Sequence, residues 1–253
     1  MLDNTSHKAR YDLVDVLRGV ALLAMTLFHL GWDLELLGLA QKGFAAQPAM
    51  KWFAVCIASS FLFLVGVSLV LAHGNHFNKK SFALRLAKVS AAALLVTIAT
   101  YFATPNFYIF FGILHHIAIA SILGLVFVKA PMGFNFLCAI LIVGAGIWLK
   151  LDLFSHPYLA WLGLGNYTPR SSDFVPLFPF FAAALFGIGV TQYLDLAQNK
   201  AQHFAFRYSA NTGFTKALRF IGKNSLVYYL VHQPIMLGIL WLGVYLWHFV
   251  LST

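Results

Sequence analysis

Charge is scarce in this sequence: Asp, Glu, Lys and Arg supply 10% of its 253 residues, while hydrophobic types supply 60%. So little polar surface cannot cover a soluble globule of this length, which excludes the water-soluble classes and leaves an integral membrane protein. Cysteine is nearly absent too. Cys56 and Cys138 both stand in apolar segments, so a secreted-type disulfide framework is not expected, and two buried, inert thiols are. Acidic residues number 8 against 17 basic ones, a net charge of +9. Such an excess does not call for nucleic acid here, because membrane proteins acquire basic loops that hold the cytoplasmic side. A repeat of fixed period is also missing.

What the chain has is long apolar runs. Spanning a bilayer takes roughly twenty apolar residues, and seven windows qualify: 14–39, 50–72, 83–103, 107–128, 132–151, 174–194 and 224–250. Turn signals separate them, among them HGNHFNKK, TPN and KAPMG. The first window is too long and too interrupted by charge to be a cleaved signal peptide. With the N-terminus in the cytoplasm, thirteen of the seventeen basic residues fall on that side, Lys8, Arg10, Arg18, Lys79, Lys80, Arg85, Lys88, Lys129, Lys200, Arg207, Lys216, Arg219 and Lys223; Lys42, Lys51, Lys150 and Arg170 fall on the other. The expected fold is therefore all-α: a polytopic membrane helix bundle of about seven transmembrane helices with a cytoplasmic N-terminus. The loops 152–173 and 195–223 are too short for a second domain, so residues 1–253 are expected to form one transmembrane domain.

The first window is unusual. DVLRGVALLAMTLFHLGWDLE, residues 15–35, places Asp15, Arg18, His29, Asp33 and Glu35 in a bilayer-length run. At 3.6 residues per turn, Asp15, Arg18, His29 and Asp33 share one face. That face must meet protein or water, since an ionisable group at the centre of a span costs about 2.5–3.5 kcal/mol. Arg18 can snorkel to the cytoplasmic surface, whereas His29 stands roughly 16 Å deeper. Asp33, one turn further, is placed to accept a hydrogen bond from the His29 imidazole. Such a pair either orients a catalytic base or binds neighbouring helices together.

Other windows offer partners. His115 and His116 stand in the fourth at a depth comparable to His29, about 100° apart on their helix. In the seventh, GKNSLVYYLVHQPIML, Asn224 or Ser225 can cap the helix, Tyr228 and His232 lie one turn apart on a common side, and Pro234 removes a backbone donor. Asp173, at the mouth of the sixth, reads first as the N-cap of that helix. Basic residues at one end and a histidine-carboxylate group toward the other suit a donor with phosphates inside and an acceptor outside.

VDVLRGVALLAMTLFHLGWDL, FFGILHHIAIASILGL, SSDFVPLFPFFAAALFGIGV and IGKNSLVYYLVHQPIML, in this order, resemble the bacterial membrane proteins grouped with the catalytic domain of heparan-alpha-glucosaminide N-acetyltransferase. More distantly, the chain is similar to acyltransferase family 3, whose Arg-x10-His is matched by Arg18 and His29. The resemblance implies transmembrane acyl transfer from cytoplasmic acetyl-CoA, or a related acyl-CoA, to a hydroxyl or amine of an extracytoplasmic glycan. It further implies that Arg18 holds CoA phosphates and that His29 is the catalytic histidine. The lysosomal enzyme's proposed catalytic histidine lies in its first exoplasmic loop; LAQKGFAAQPAMKW has none, which favours His29.

On this reading His29, oriented by Asp33, acts as general base or carries the acyl group, and His115, His116 or Tyr228 donate to the oxyanion. Lys79, Lys80, Arg85 and Lys88 assist Arg18 with the phosphates or merely set topology and contact lipid; Tyr228 and His232 are further candidates for ligand contact. No metal is expected. The expected partners are acyl-CoA, a sugar acceptor outside and membrane lipids, with no nucleic acid; the oligomeric state, homo-oligomer included, stays open. The expected location is the inner (cytoplasmic) membrane, multi-pass. Two alternatives stand beside it: a bis-His haem membrane protein using His29 with His115 or His116, and a proton-coupled transporter relaying protons through intramembrane His and Asp.

Overall fold

A computed structural model describes residues 12–74, 76–194 and 212–252. Eight α-helices are described: α1 (Asp12–Leu36), α2 (Pro48–His73), α3 (Lys79–Ala103), α4 (Ile113–Phe127), α5 (Met132–Trp148), α6 (Leu177–Tyr193), α7 (Gly213–Lys223) and α8 (Ser225–Ser252). Short 3-10 turns at Pro105–Phe107, Asp152–Phe154 and Pro157–Leu162 complete the connections, and no strand occurs among the described residues. Four helices, α1, α2, α3 and α8, are long and apolar enough to cross a membrane. The windows expected at 107–128, 132–151 and 174–194 form shorter apolar helices of 15, 17 and 17 residues. Their flanks explain the shortening. Residues 105–112 turn and extend before α4, and Pro176 holds extended backbone immediately before α6. Of the basic residues that define the expected orientation, Lys8, Arg10, Lys200 and Arg207 lie outside the described residues.

The centre is built by α2, α4, α5 and α6. Leu62, Ala120, Ala184, Leu185 and Ile188 are completely buried there. Without a hydrophobic force between helices in lipid, close packing must do the work, and small residues let backbones approach. The α2–α6 crossing uses this: a Cβ on Gly66 would run into the Ala184 carbonyl, and one on Gly187 into the Phe63 carbonyl. At one end, Asn135 donates to Phe127 O (3.1 Å) and to Gln192 Oε1 (2.8 Å). Gln192 donates in turn to the carbonyls of Val128 and Ala130. These amides satisfy acceptors that the end of α4 leaves without helical partners.

The outer faces are as apolar as the centre: Ile140 is 69% and Val126 75% exposed, as lipid contact requires. This corrects one expectation. Cys56 is exposed on α2 and Cys138 only half-buried on α5, because a bundle facing hydrocarbon has no reason to bury its apolar side chains.

Helix α7 falls in the region expected to be loop. Thr212 caps it, accepting from Thr215 N (3.2 Å), while Leu218 and Gly222 are buried and Phe214 and Phe220 are exposed. It packs along α1, where Arg219 pairs with Asp12 at 3.0 Å. Eleven residues with a narrow apolar stripe fall well short of a span, so a search for long apolar windows passes over them. Glu35 acts locally, accepting from the Gly43 and Ala45 N–H groups and holding the turn between α1 and α2.

The α2–α6 crossing leaves no room for a side chain at Gly66 or Gly187. Gly187→Leu should therefore cost about 1–3 kcal/mol by overpacking, read as a lower unfolding temperature in detergent than for a substitution of exposed Ile140 to Leu.

Candidate active site

Arg18 anchors one end of the α1 stripe. Its Nη1 donates to Asp15 Oδ1 at 3.0 Å, and its Nη2 donates to Ser68 Oγ on α2. Asp15 is almost fully buried, whereas a quarter of the Arg18 side chain stays accessible. A buried carboxylate is tolerable because the guanidinium meets it directly. Arg18 opens on a cavity of about 510 Å³, whose polar lining includes Ser81, Arg85 and Lys88 from α3. Lys79 and Lys80, at the exposed start of α3, are not among its lining residues.

Three turns along α1, His29 lines a second cavity of about 220 Å³ with Phe28, Phe180, Ser172, Asp173 and Tyr229 among its neighbours. Its Nδ1 is buried and has no partner among the described residues. The expected His29–Asp33 hydrogen bond is not formed. Asp33 is fully buried and turned to α8, where Gln233 Nε2 donates to its Oδ1 at a long 3.5 Å, and its Oδ2 has no partner among the described residues. A four-residue step aligns two side chains on one face but does not choose their rotamers, and the neighbouring helix supplied a competing donor.

The ring beside His29 belongs to His232, with centroids 5.3 Å apart. His232 Nδ1 lies 2.7 Å from the Tyr229 carbonyl, which can only accept, so Nδ1 carries the proton and Nε2 is left as an acceptor with no partner among the described residues. Tyr228 stacks on His232 with rings 2° from parallel, and its hydroxyl pairs with Thr26 at 2.9 Å. The common side read from the one-turn spacing of Tyr228 and His232 is thus observed.

His115 and His116 go elsewhere. His116 is fully buried and donates from Nδ1 to Val175 O at 3.0 Å. His115 Nε2 meets Thr97 Oγ1 at 3.1 Å, while its Nδ1 accepts from the Gly112 N–H. Neither is among the residues lining the His29 cavity.

Asp173 does cap a helix, but α4 instead of α6. Its Oδ2 accepts from the Ile113 N–H at 2.8 Å and from the Tyr229 hydroxyl at 3.2 Å. The link from Asp173 to Leu177 leaves α6 to start four residues on, and Gly112 has no side chain to obstruct the carboxylate: a Cβ there would strike it. Burial pushes the Asp173 carboxyl above the usual range, and the two donated hydrogen bonds work against that shift.

Sequence reasoning passed over Tyr229. Only its helical phase, one residue on from Tyr228, distinguishes it, and it joins both cavities: Phe61, Ile113 and Tyr229 line each of them. A basic chamber and a histidine chamber therefore have these three residues in common.

The sequence model for heparan-alpha-glucosaminide N-acetyltransferase, catalytic, matches residues 10–234. The chain belongs to this family. No curated protein and no solved structure matches it. Membership makes the protein a membrane enzyme of N-acetyltransferase type. Every residue lining either chamber falls within the matched stretch.

Loss of the Asp173 carboxylate leaves the Ile113 N–H and the Tyr229 hydroxyl without their acceptor. Asp173→Ala should cost about 1–3 kcal/mol, seen as a fall in unfolding temperature, and Asp173→Asn, which keeps one acceptor oxygen, should lose less.

Proposed function

We propose that this protein moves an acyl group across the inner membrane, from cytoplasmic acetyl-CoA or a related acyl-CoA to a hydroxyl or amine of an extracytoplasmic glycan. The observation that carries this reading is the pair of chambers with a common wall, one rimmed by Arg18, Arg85 and Lys88, the other holding His29. Three cations on two helices suit the phosphates of CoA, with Arg18 presenting a planar fork already held by Asp15 and Ser68. The apolar depth of that chamber, with Leu22, Leu114 and Leu226, suits the pantetheine arm that carries the thioester.

In the smaller chamber His29 is the general base. As the acceptor oxygen or nitrogen attacks the thioester carbonyl, His29 takes its proton; the carbon–sulfur bond breaks and the CoA thiolate leaves toward the basic side. With Asp33 engaged by Gln233, the ring that packs beside His29 is that of His232, with centroids 5.3 Å apart. The reading takes the seven apolar helices as seven crossings of one domain. The N-terminus and the Arg18 chamber then lie on the cytoplasmic side, following the excess of Lys and Arg in that set of loops.

The test uses purified protein in detergent with acetyl-CoA. His29→Ala should lower acyl transfer by about 10²–10⁴-fold, the usual share of a general base, while CoA still binds. Arg18→Ala should weaken CoA binding by roughly tenfold or more, as loss of a charge-assisted hydrogen bond does. Full activity in His29→Ala rejects the mechanism.

A further inference from the structure

Of the three residues that line both chambers, Phe61 belongs to the middle of α2, and Ile113 opens α4 with only 6% of its surface exposed. Tyr229 differs from both. It is half-buried on α8 and packs against the Leu22–Met25–Ile57 cluster on one side and the Ala92–Ala93–Leu114 cluster on another, with its hydroxyl tied to Asp173. The same carboxylate oxygen holds the Ile113 N–H. One side chain therefore fastens two of the three parts of the wall; the Tyr229 ring is held by apolar packing along its sides and by one hydrogen bond at its tip.

We infer that Tyr229 is a partition between the Arg18 and His29 chambers, latched by Asp173, that keeps a bound thioester away from the water and the base of the far chamber until the ring swings aside. The consequence for chemistry rests on the acyl-transfer reading above; the partition itself does not. Ring rotation breaks the Tyr229–Asp173 bond and leaves the backbone of α8 in place, since side-chain torsions need no helix movement. With the ring gone, water can reach the thioester carbonyl. A carbon–oxygen bond then forms, the carbon–sulfur bond breaks, one proton of that water passes to the departing thiolate and the other to solvent, and acetate and CoA are released without any acceptor.

The experiment has two arms. For access, Cys56 and Cys138 are replaced by Ala and Met25, which lines the His29 chamber, is replaced by Cys in the full chain reconstituted into liposomes. A charged methanethiosulfonate is added on the side that carries the start of α3. Tyr229→Ala should raise the labelling rate at least tenfold over the parent, and Tyr229→Phe, which keeps the ring and the fold but loses the latch, should raise it by a smaller factor. Equal rates in parent, Tyr229→Phe and Tyr229→Ala overturn the partition. For chemistry, CoA release from acetyl-CoA without acceptor should rise at least tenfold in Tyr229→Ala while acetyl-CoA binding is kept, a split that mere loosening of the bundle does not produce. Binding retained with no rise overturns the protective role. If parent protein fails to bind acetyl-CoA while access still changes, the acyl-transfer reading falls and the partition stands.

Discussion

Polar groups inside a bilayer-length helix must be answered by protein, because lipid cannot answer them and each unanswered ionisable group costs about 2.5–3.5 kcal/mol at the centre of a span. The arrangement of the bundle follows from that constraint. Helix α1 carries the most such groups, and the elements around it meet them: Ser68 of α2 meets Arg18, Arg219 of α7 meets Asp12, Gln233 of α8 meets Asp33, and Tyr228 of α8 meets Thr26. Apolar residues, satisfied by lipid or by one another, impose no comparable demand, so they are found inside and outside alike.

Asp173 plays the same part on the opposite wall. A single carboxylate oxygen stops the first turn of α4 and the hydroxyl of Tyr229, joining the link before α6 to α4 and α8. The geometric result is a short path through a thick barrier. A hydrocarbon core is about 30 Å thick, yet the chambers at Arg18 and at His29 come close enough to share Phe61, Ile113 and Tyr229 in their linings. On the proposed acyl-transfer reading, such proximity is what two reactants arriving from opposite sides require.

Much of the site was legible along the chain, and what was missed shares one cause. The Arg18–His29 stripe and the Tyr228–His232 stack are relations within one helix, where 3.6 residues per turn decide which side chains are neighbours. Arg85 and Lys88 came into view as part of a basic run, but nothing in the run separates them from Lys79 and Lys80, which stay at the surface. Asp33 passed as the partner of His29 until α8 offered Gln233, and Asp173 passed as the cap of its own helix until α4 presented a free N–H across the bundle. Helix α7 escaped because its stripe is short, and Tyr229 because an apolar-looking Tyr-Tyr pair gives no sign of which ring will line a cavity.

Composition and periodicity were enough for the membrane class, the approximate places of the seven apolar helices and the polar face of α1, and four ordered sequence blocks carried the family resemblance, because each of these depends on residues close together in the chain. Which helix lies against which, and hence that His232 and not Asp33 stands beside His29 and that Tyr229 divides two chambers, was left to packing. A helical repeat sets the direction in which a side chain leaves its own axis. The group it meets there is chosen by backbone contacts such as Gly66 and Gly187 against α6 and α2, and by competition among donors and acceptors that the linear order keeps far apart.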